Sequence, residues 1–383
     1  MAGEVIIKKP LLHSLVTTKK EMHGWYRGKR ECTAERLLIN PYNGCSVNCF
    51  YCYARALPGY FKIFSQKNII FVCKDFDKVI AKQLDSLNIV SCGYLSPVTD
   101  PFQELEKVYH LSEKIIEEFV KRNIPIEFIT KCKIPDRVID LIKTQKHSFG
   151  QISILTTNEN LRKILAPGGA STEELFCNLK KLSEKNIFSV CRIDPILPFI
   201  TDAKDELFRL IERAIDSGAR HIIASILDIP LRMKNFVLHK IKKYFGSEIY
   251  ANYISLYSEK IGYLNAEIGY RRRIFEFLKE FCSKKRITFS LCMEYEIKDN
   301  KIKGLNREFM TSNNCEGIDI PLYVRKGRSF DVLYECSGNC LNCSKPLCGI
   351  KDLAMANPSA SRKDFKLKDY RRWAREISNK IEL

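Results

Sequence analysis

From about residue 35 to residue 228, short apolar runs alternate with amphipathic stretches, and this alternation constrains the fold more than any other feature. The runs at 37–40, 89–94, 126–130, 152–156, 188–193 and 222–227 have strand length. The stretches between them, at 75–86, 103–122, 135–145, 172–185 and 203–217, carry helical periodicity. Ser171 followed by Glu174 has the spacing of a capping box, and Ser217-Gly218 marks a helix end. Strands separated by helices build βαβ units and a parallel sheet. Six such units predict an α/β fold, a partial (β/α)6 barrel, with its working face at the strand C-termini.

The flanks organise around that unit. Residues 1–32 read as a basic N-terminal arm and 33–295 as the barrel. Within the barrel, 229–285 reads as a helical, basic insertion before a further strand candidate at 287–292. Residues 296–383 form a Cys-rich C-terminal extension closed by a basic helix near 367–381 that carries Lys368, Arg371, Arg372 and Arg375.

Composition excludes whole classes. Apolar residues are 45% of the 383, enough for a sizeable core, so the chain is not mainly disordered. It carries 63 Lys and Arg against 45 Asp and Glu, a formal charge of +18. No apolar run has membrane-spanning length, and the first residues lack a signal peptide's apolar region and cleavage site. The expectation is a soluble, cytoplasmic protein with no membrane partner. Sixteen cysteines suit a secreted disulfide scaffold poorly in so long a chain. Seven fall in two tight groups, the pattern of metal or Fe–S ligation; the other nine are expected to be small buried hydrophobes.

The first group lies in INPYNGCSVNCFYCYAR, directly after the first strand. Cys45, Cys49 and Cys52 are spaced C-x3-C-x2-C. Three thiolates can hold three irons of a 4Fe–4S cluster and leave the fourth open to a small molecule. Structural zinc is the alternative, but it ordinarily takes four ligands and no histidine is near.

This spacing, with the aromatic Tyr51 before the last cysteine, resembles the signature of the radical S-adenosylmethionine (radical SAM) enzymes. The words SPVTDPFQELE, FITK, LTTNENLRKILAPGGAS and IDPILPFITD follow in the order seen in the spore photoproduct lyase-like branch, over roughly residues 35–228. The resemblance implies an enzyme with a 4Fe–4S cluster on Cys45, Cys49 and Cys52. It implies reductive cleavage of S-adenosylmethionine to a 5′-deoxyadenosyl radical, with a flavodoxin or ferredoxin-type protein as electron donor. It places Tyr51 against the adenine and Lys131 at the S-adenosylmethionine carboxylate, with Thr99 and Asp100 as further cofactor contacts. The lyase itself uses a cysteine near its second strand as hydrogen donor. Cys92 is the candidate here, although its local words differ and a buried structural thiol is the competing reading. That difference and the C-terminal cysteines argue against thymine-dimer repair itself.

The second group, CSGNCLNCSKPLC, sets Cys336, Cys340, Cys343 and Cys348 in a C-x3-C-x2-C-x4-C array. Four thiolates suit an auxiliary 4Fe–4S cluster or a zinc ion, with Cys315 or Cys292 as substitute ligands. The substrate is read from charge. Basic segments at the N-terminus, in the insertion (including Lys240, Lys242, Lys243 and the run Arg271-Arg272-Arg273) and in the last helix suit a phosphate backbone. Interleaved aromatics could stack on bases. Nucleic acid is therefore the leading substrate class, a peptide or protein the alternative, and a non-catalytic Fe–S or zinc nucleic-acid-binding protein the third reading.

Overall fold

The computed structural model describes residues 6–24, 36–339, 343 and 366–371. Its centre is a seven-stranded parallel sheet whose strands lie side by side in chain order: β1 (Leu37–Ile39), β2 (Gly93–Leu95), β3 (Ile126–Thr130), β4 (Phe149–Ser153), β5 (Phe188–Ile196), β6 (His221–Ile226) and β7 (Thr288–Leu291). Such sheets are covered on both faces and read as near-continuous apolar runs, and every residue of β4 and β6 is buried. The covering helices are α1 (Phe76–Asp85), α2 (Leu111–Val120), α3 (Asp136–Ile142), α4 (Thr172–Glu184), α5 (Lys204–Asp216), α6 (Lys234–Leu256) and α7 (Ile268–Lys284). One continuous apolar core joins sheet and helices. No helix among the described residues is long and apolar enough to cross a membrane.

Local signals place the helix ends. The Ser171–Glu174 capping box forms at the head of α4. Past α5, Gly218 takes φ 93° and its N–H reaches the Ile215 carbonyl at 2.8 Å, which satisfies an orphan acceptor of the last turn.

Three strand expectations shift. The run at 89–94 divides: Ile89–Val90 joins a separate three-stranded sheet beside Tyr323–Lys326, and only Gly93–Leu95 enters the central sheet. β4 begins at Phe149, three residues earlier than its apolar run suggests, because Gly150 and Gln151 belong to the strand. A Cβ on Gly150 would fall 2.9 Å from the Phe128 ring, so the small residue marks close packing. The seventh strand, at the 287–292 candidate, extends the expected six.

The basic N-terminal stretch is built into the fold. His13–Thr17 pairs in parallel with Ile70–Lys74, which in turn pairs with Tyr42–Asn43 at the threshold of the first cysteine group. In the insertion, α6 bends at Gly246 (φ 92°), a hairpin follows (Glu259–Ile261 with Tyr263–Asn265), and α7 returns to the sheet.

The Arg271–Arg273 run corrects the reading of a phosphate-binding face. Arg271 is fully buried, with Glu294 at 3.0 Å and Glu259 at 2.7 Å. Arg272 bridges Glu296 at 3.0 Å and Glu308 at 2.7 Å. Only Arg273 is exposed. Of the C-terminal helix, Lys368 and Arg371 are described, while Arg372 and Arg375 lie outside the described residues.

Candidate active site

The first cysteine group forms a loop at the C-terminal end of β1, and the motif words that follow it in sequence close around it in space. Gly44 opens the loop at φ 107°, where a Cβ would meet the Phe64 ring at 2.8 Å; only glycine suits both the conformation and the space. From the SPVTDPFQELE word, the fully buried Gln103 amide accepts from Ser46 N (3.0 Å) and donates to the Gly44 carbonyl (3.2 Å). From the APGGAS word, Gly168 N donates to the Val47 carbonyl at 3.0 Å. A Cβ on Gly168 would lie 2.0 Å from the Ser46 carbonyl oxygen, so the two backbones touch.

Held this way, Cys45, Cys49 and Cys52 line one solvent-open pocket of about 290 Å³, walled by Phe61, Phe64, Val98 and Arg55. Burial raises the pKa of all three thiols. The Asp100 carboxylate adds to the rise at Cys45, and the three sulfurs act on one another. The Lys131 ammonium opposes it at Cys49 and Cys52, and Arg55 opposes it at Cys52.

Asp100 and Lys131 form a unit. Asp100 Oδ2 accepts from Lys131 N (2.6 Å), and Oδ1 accepts from Phe102 N and Thr130 Oγ1 (2.9 Å each). Both oxygens are therefore engaged by protein, and Asp100 positions Lys131. The Lys131 ammonium donates to Ser153 Oγ (2.7 Å) and lies 3.4 Å from the Asp194 carbonyl oxygen, so it spans the C-terminal ends of β3, β4 and β5. The Tyr51 and Thr99 hydroxyls are buried and have no hydrogen-bond partner of ordinary geometry. Tyr51 presents its hydroxyl toward Cys49, with Asp194 also in electrostatic reach.

The lumen adds Arg192, Gln151, Asp194 and Ser225, which sequence reasoning missed, next to Cys292, which it named as a substitute ligand. Arg192 donates to Gln151 Oε1 and to Cys292 Sγ (2.9 Å each) and pairs with Asp194, whose other oxygen accepts from Ser225 Oγ at 2.6 Å. Despite burial, Arg192 and Ser225 hold the Asp194 carboxyl below its ordinary range. The register of β5 against β6 shifts between Ile193 and Ile196, which sets Asp194 at the mouth. Charged residues inside the apolar run VCRIDPI were the available signal.

At the opposite end, Arg36 binds Glu316 (2.6 Å) and Glu127 (3.4 Å), all three buried. His221 binds Thr288 Oγ1 (2.8 Å), Ser290 Oγ (2.9 Å) and the Cys315 carbonyl (3.2 Å). The segment bearing Cys315 and Glu316 thus closes the floor. Cys92 belongs to this floor, packed with Phe149, Val190, Ile223 and Ile320. That corrects its candidacy as hydrogen donor: it precedes β2, at the end away from the cysteine loop. In the second group, Cys336 packs partly against the core, while Cys340 and Cys348 lie outside the described residues.

These residues fit a cluster and its ligand. Three thiols share one pocket, and a cation would offset the burial that keeps them protonated. Beside them the buried Tyr51 hydroxyl, aimed at Cys49, has no hydrogen bond of ordinary geometry. Among the described residues, no three His, Cys, Asp or Glu side chains converge on a single-ion site; a cluster instead distributes its ligands over separate irons.

Residues 39–211 match the radical SAM superfamily. A radical SAM Nα-GlyT isomerase of Pseudomonas phage M6 is 26% identical over 93% of this chain and 78% of its own length. An uncharacterized protein of Methanocaldococcus jannaschii is 30% identical over 44% of this chain and 63% of its own. Among solved structures, a spore photoproduct lyase complexed with dinucleoside spore photoproduct has TM-score 0.54 at 14% identity, covering 70% of this chain and 79% of the lyase. A lyase variant with bound AdoMet and the same dinucleoside has TM-score 0.53 at 15% identity and the same coverage. With the three-thiol loop at its head and the lyase-like sheet behind it, residues 39–211 form a radical SAM domain, and the chain that carries it is an enzyme.

Proposed function

We propose that this enzyme rearranges a nucleotide within a nucleic acid by a redox-neutral, hydrogen-abstracting isomerisation. One observation carries the radical chemistry: the three thiols of the pocket and the Lys131 ammonium act on the same small volume at the sheet's C-terminal end. When bound there, a 4Fe–4S cluster and S-adenosylmethionine supply one-electron C–S cleavage and abstraction of hydrogen from an unactivated carbon.

The chain's own residues do the rest. Cys45, Cys49 and Cys52 hold the cluster. Lys131, fixed through Asp100 and Ser153, offers its ammonium to a carboxylate. Thr99 and Tyr51 offer the two unfilled hydroxyls. Asp194, kept ionised by Arg192 and Ser225, has both oxygens engaged by them and fixes the Arg192 guanidinium near the mouth. The Arg36–Glu127–Glu316 floor closes the far end, so substrate enters at the mouth.

Two comparisons support the substrate class and reaction type. The phage relative aligned over nearly the whole chain is named an isomerase, and structures sharing this fold hold a dinucleoside. A site at the C-terminal end of the sheet, with the far end filled by the Arg36–Glu127–Glu316 group, suits an extruded or single-stranded nucleotide. We also propose that Cys336, Cys340, Cys343 and Cys348 hold a second cluster, with zinc as the alternative to be separated by metal analysis.

The test is anaerobic. In the isomerisation the abstracted hydrogen returns to the rearranged product, so dithionite-reduced protein with S-adenosylmethionine and no nucleic acid is the sample expected to accumulate 5′-deoxyadenosine, by uncoupled cleavage. Nucleosides digested from treated DNA or tRNA should then show a new species of unchanged mass and altered retention. A product of altered mass overturns the isomerisation. Absence of 5′-deoxyadenosine without nucleic acid, together with no new nucleoside when nucleic acid is present, overturns the activity itself.

A further inference from the structure

We propose that the outer face of α6 is the docking surface for an acidic one-electron carrier protein that reduces the cluster; this rests on the reading of Cys45, Cys49 and Cys52 as cluster ligands. Phe236, Lys240, Lys243 and Tyr244 follow one another at intervals that place them on one face of α6, flanking the buried stripe of Val237, Ile241 and Leu238. Phe236 is 43% exposed and Tyr244 41%, large for aromatic rings on a helix whose other side is core.

This face adjoins the cysteine loop. The Tyr244 ring lies 5.8 Å from the ring of Phe50, which sits between Cys49 and Tyr51 in the chain. An electron entering at α6 therefore arrives one aromatic contact away from the cluster ligands. The lumen, where substrate must react, lies behind them.

The charge on the face is unopposed. Among the described residues, Lys240, Lys242 and Lys243 take part in no ion pair, whereas Arg271 and Arg272 on α7 are each held by two carboxylates. In a chain of +18, Lys240 and Lys243 join Lys62 and Lys67, on the helix that gives Phe61 and Phe64 to the pocket, as lysines near the loop with no ion pair among the described residues. The aromatics do not form a base-stacking platform. The Lys240 ammonium lies 5.6 Å from the ring centroids of both Phe236 and Tyr244, and Lys243 lies 5.9 Å from Tyr244. The face thus presents ammonium groups over an apolar base, which complements a carboxylate-rich protein surface. Two helical turns also match the small contact area of transient redox encounters, under about 1,200 Å².

The experiment uses the full cluster-loaded chain, a carboxylate-rich flavodoxin as probe, and the variants Lys240→Glu/Lys243→Glu and Lys240→Gln/Lys243→Gln. Flavodoxin binding at low salt and the rate of 5′-deoxyadenosine formation are both read. The Glu variant should bind at least about tenfold more weakly, the Gln variant by an intermediate amount, and wild-type binding should fall with salt. Flavodoxin-driven cleavage should slow in parallel, while dithionite-driven cleavage stays within twofold. Wild-type protein that does not bind flavodoxin, or variants that bind it equally well, overturn the proposal. Loss of single-stranded DNA or tRNA binding with flavodoxin binding intact assigns the face to nucleic acid and overturns it too. The binding readout separates the two readings: absence of dithionite-driven cleavage in wild type counts against the enzyme reaction, and absence of flavodoxin binding counts against the docking face.

Discussion

The two ends of the barrel lumen carry similar residues in opposite states. At the floor, most buried polar groups are paired within the protein: Arg36 meets Glu316 at 2.6 Å and Glu127 at 3.4 Å, and His221 has a hydroxyl at each ring nitrogen, while Glu127 Oε1 has its ion pair but no hydrogen bond. At the mouth, polar groups are aimed but incompletely answered. Three thiols share a pocket, the Tyr51 hydroxyl has only the Cys49 thiol near it, and the Thr99 hydroxyl has no hydrogen bond of ordinary geometry. Burying a polar group without a hydrogen bond is costly, and beside a pocket that three thiols line such a group can be completed by a ligand. The floor is built for stability and the mouth for chemistry.

Substitutions can break or sharpen this division. The largest effect belongs to the mouth: Cys49→Ala should abolish 5′-deoxyadenosine formation and remove the cluster iron, while the folded chain is retained by circular dichroism. The converse floor variant is Arg36→Met, which leaves Glu316 buried without its cation. It should cost roughly 3–5 kcal/mol of unfolding free energy in denaturant titrations. A variant as stable as wild type would undo the assignment of the floor.

The floor should also show in the pH dependence of stability. Burial holds His221 largely neutral and pushes its pKa from 6.5 down to about 4. Below pH 6.5 the unfolded chain takes up a proton that the folded chain refuses, so stability falls as pH drops from 6.5 toward 4. The loss is about 3 kcal/mol at most. Thermal unfolding of His221→Gln should lack this component of the acid slope.

Lys131→Met returns to the mouth. Losing one charge-assisted contact should weaken S-adenosylmethionine binding by roughly 10- to 100-fold, with little change in unfolding midpoint. Lys131→Arg should recover part of the affinity in equilibrium binding. The smallest effect is expected from Cys92→Ala: cleavage of S-adenosylmethionine at the wild-type rate and a stability loss of about 1 kcal/mol. A Cys92 variant that folds but cannot complete turnover would move chemistry to the floor and end the comparison.

Much was legible along the chain because it depends on neighbours in sequence. The strand–helix alternation, the Ser171 cap and the three cysteines after β1 are local patterns, and each is found where its spacing puts it. The motif words were legible as words only. That Gln103 and Gly168 brace the loop from two sides depends on contacts between segments far apart in the chain. Asp100 shows the same limit: its residue type suits a cofactor contact, but its oxygens are taken by Lys131, Phe102 and Thr130.

The basic stretches mark the boundary most clearly. Composition alone determined that the chain carries an excess of 18 positive charges. Nothing in the order of residues distinguishes the arginines of 271–273 from the lysines of 240–243 as partners for an outside anion. Tertiary structure decided it, because charge pairing depends on which segments meet. The fold brings Glu259, Glu294, Glu296 and Glu308 against α7 and neutralises Arg271 and Arg272 there. It turns the lysines of α6 outward beside the cysteine loop.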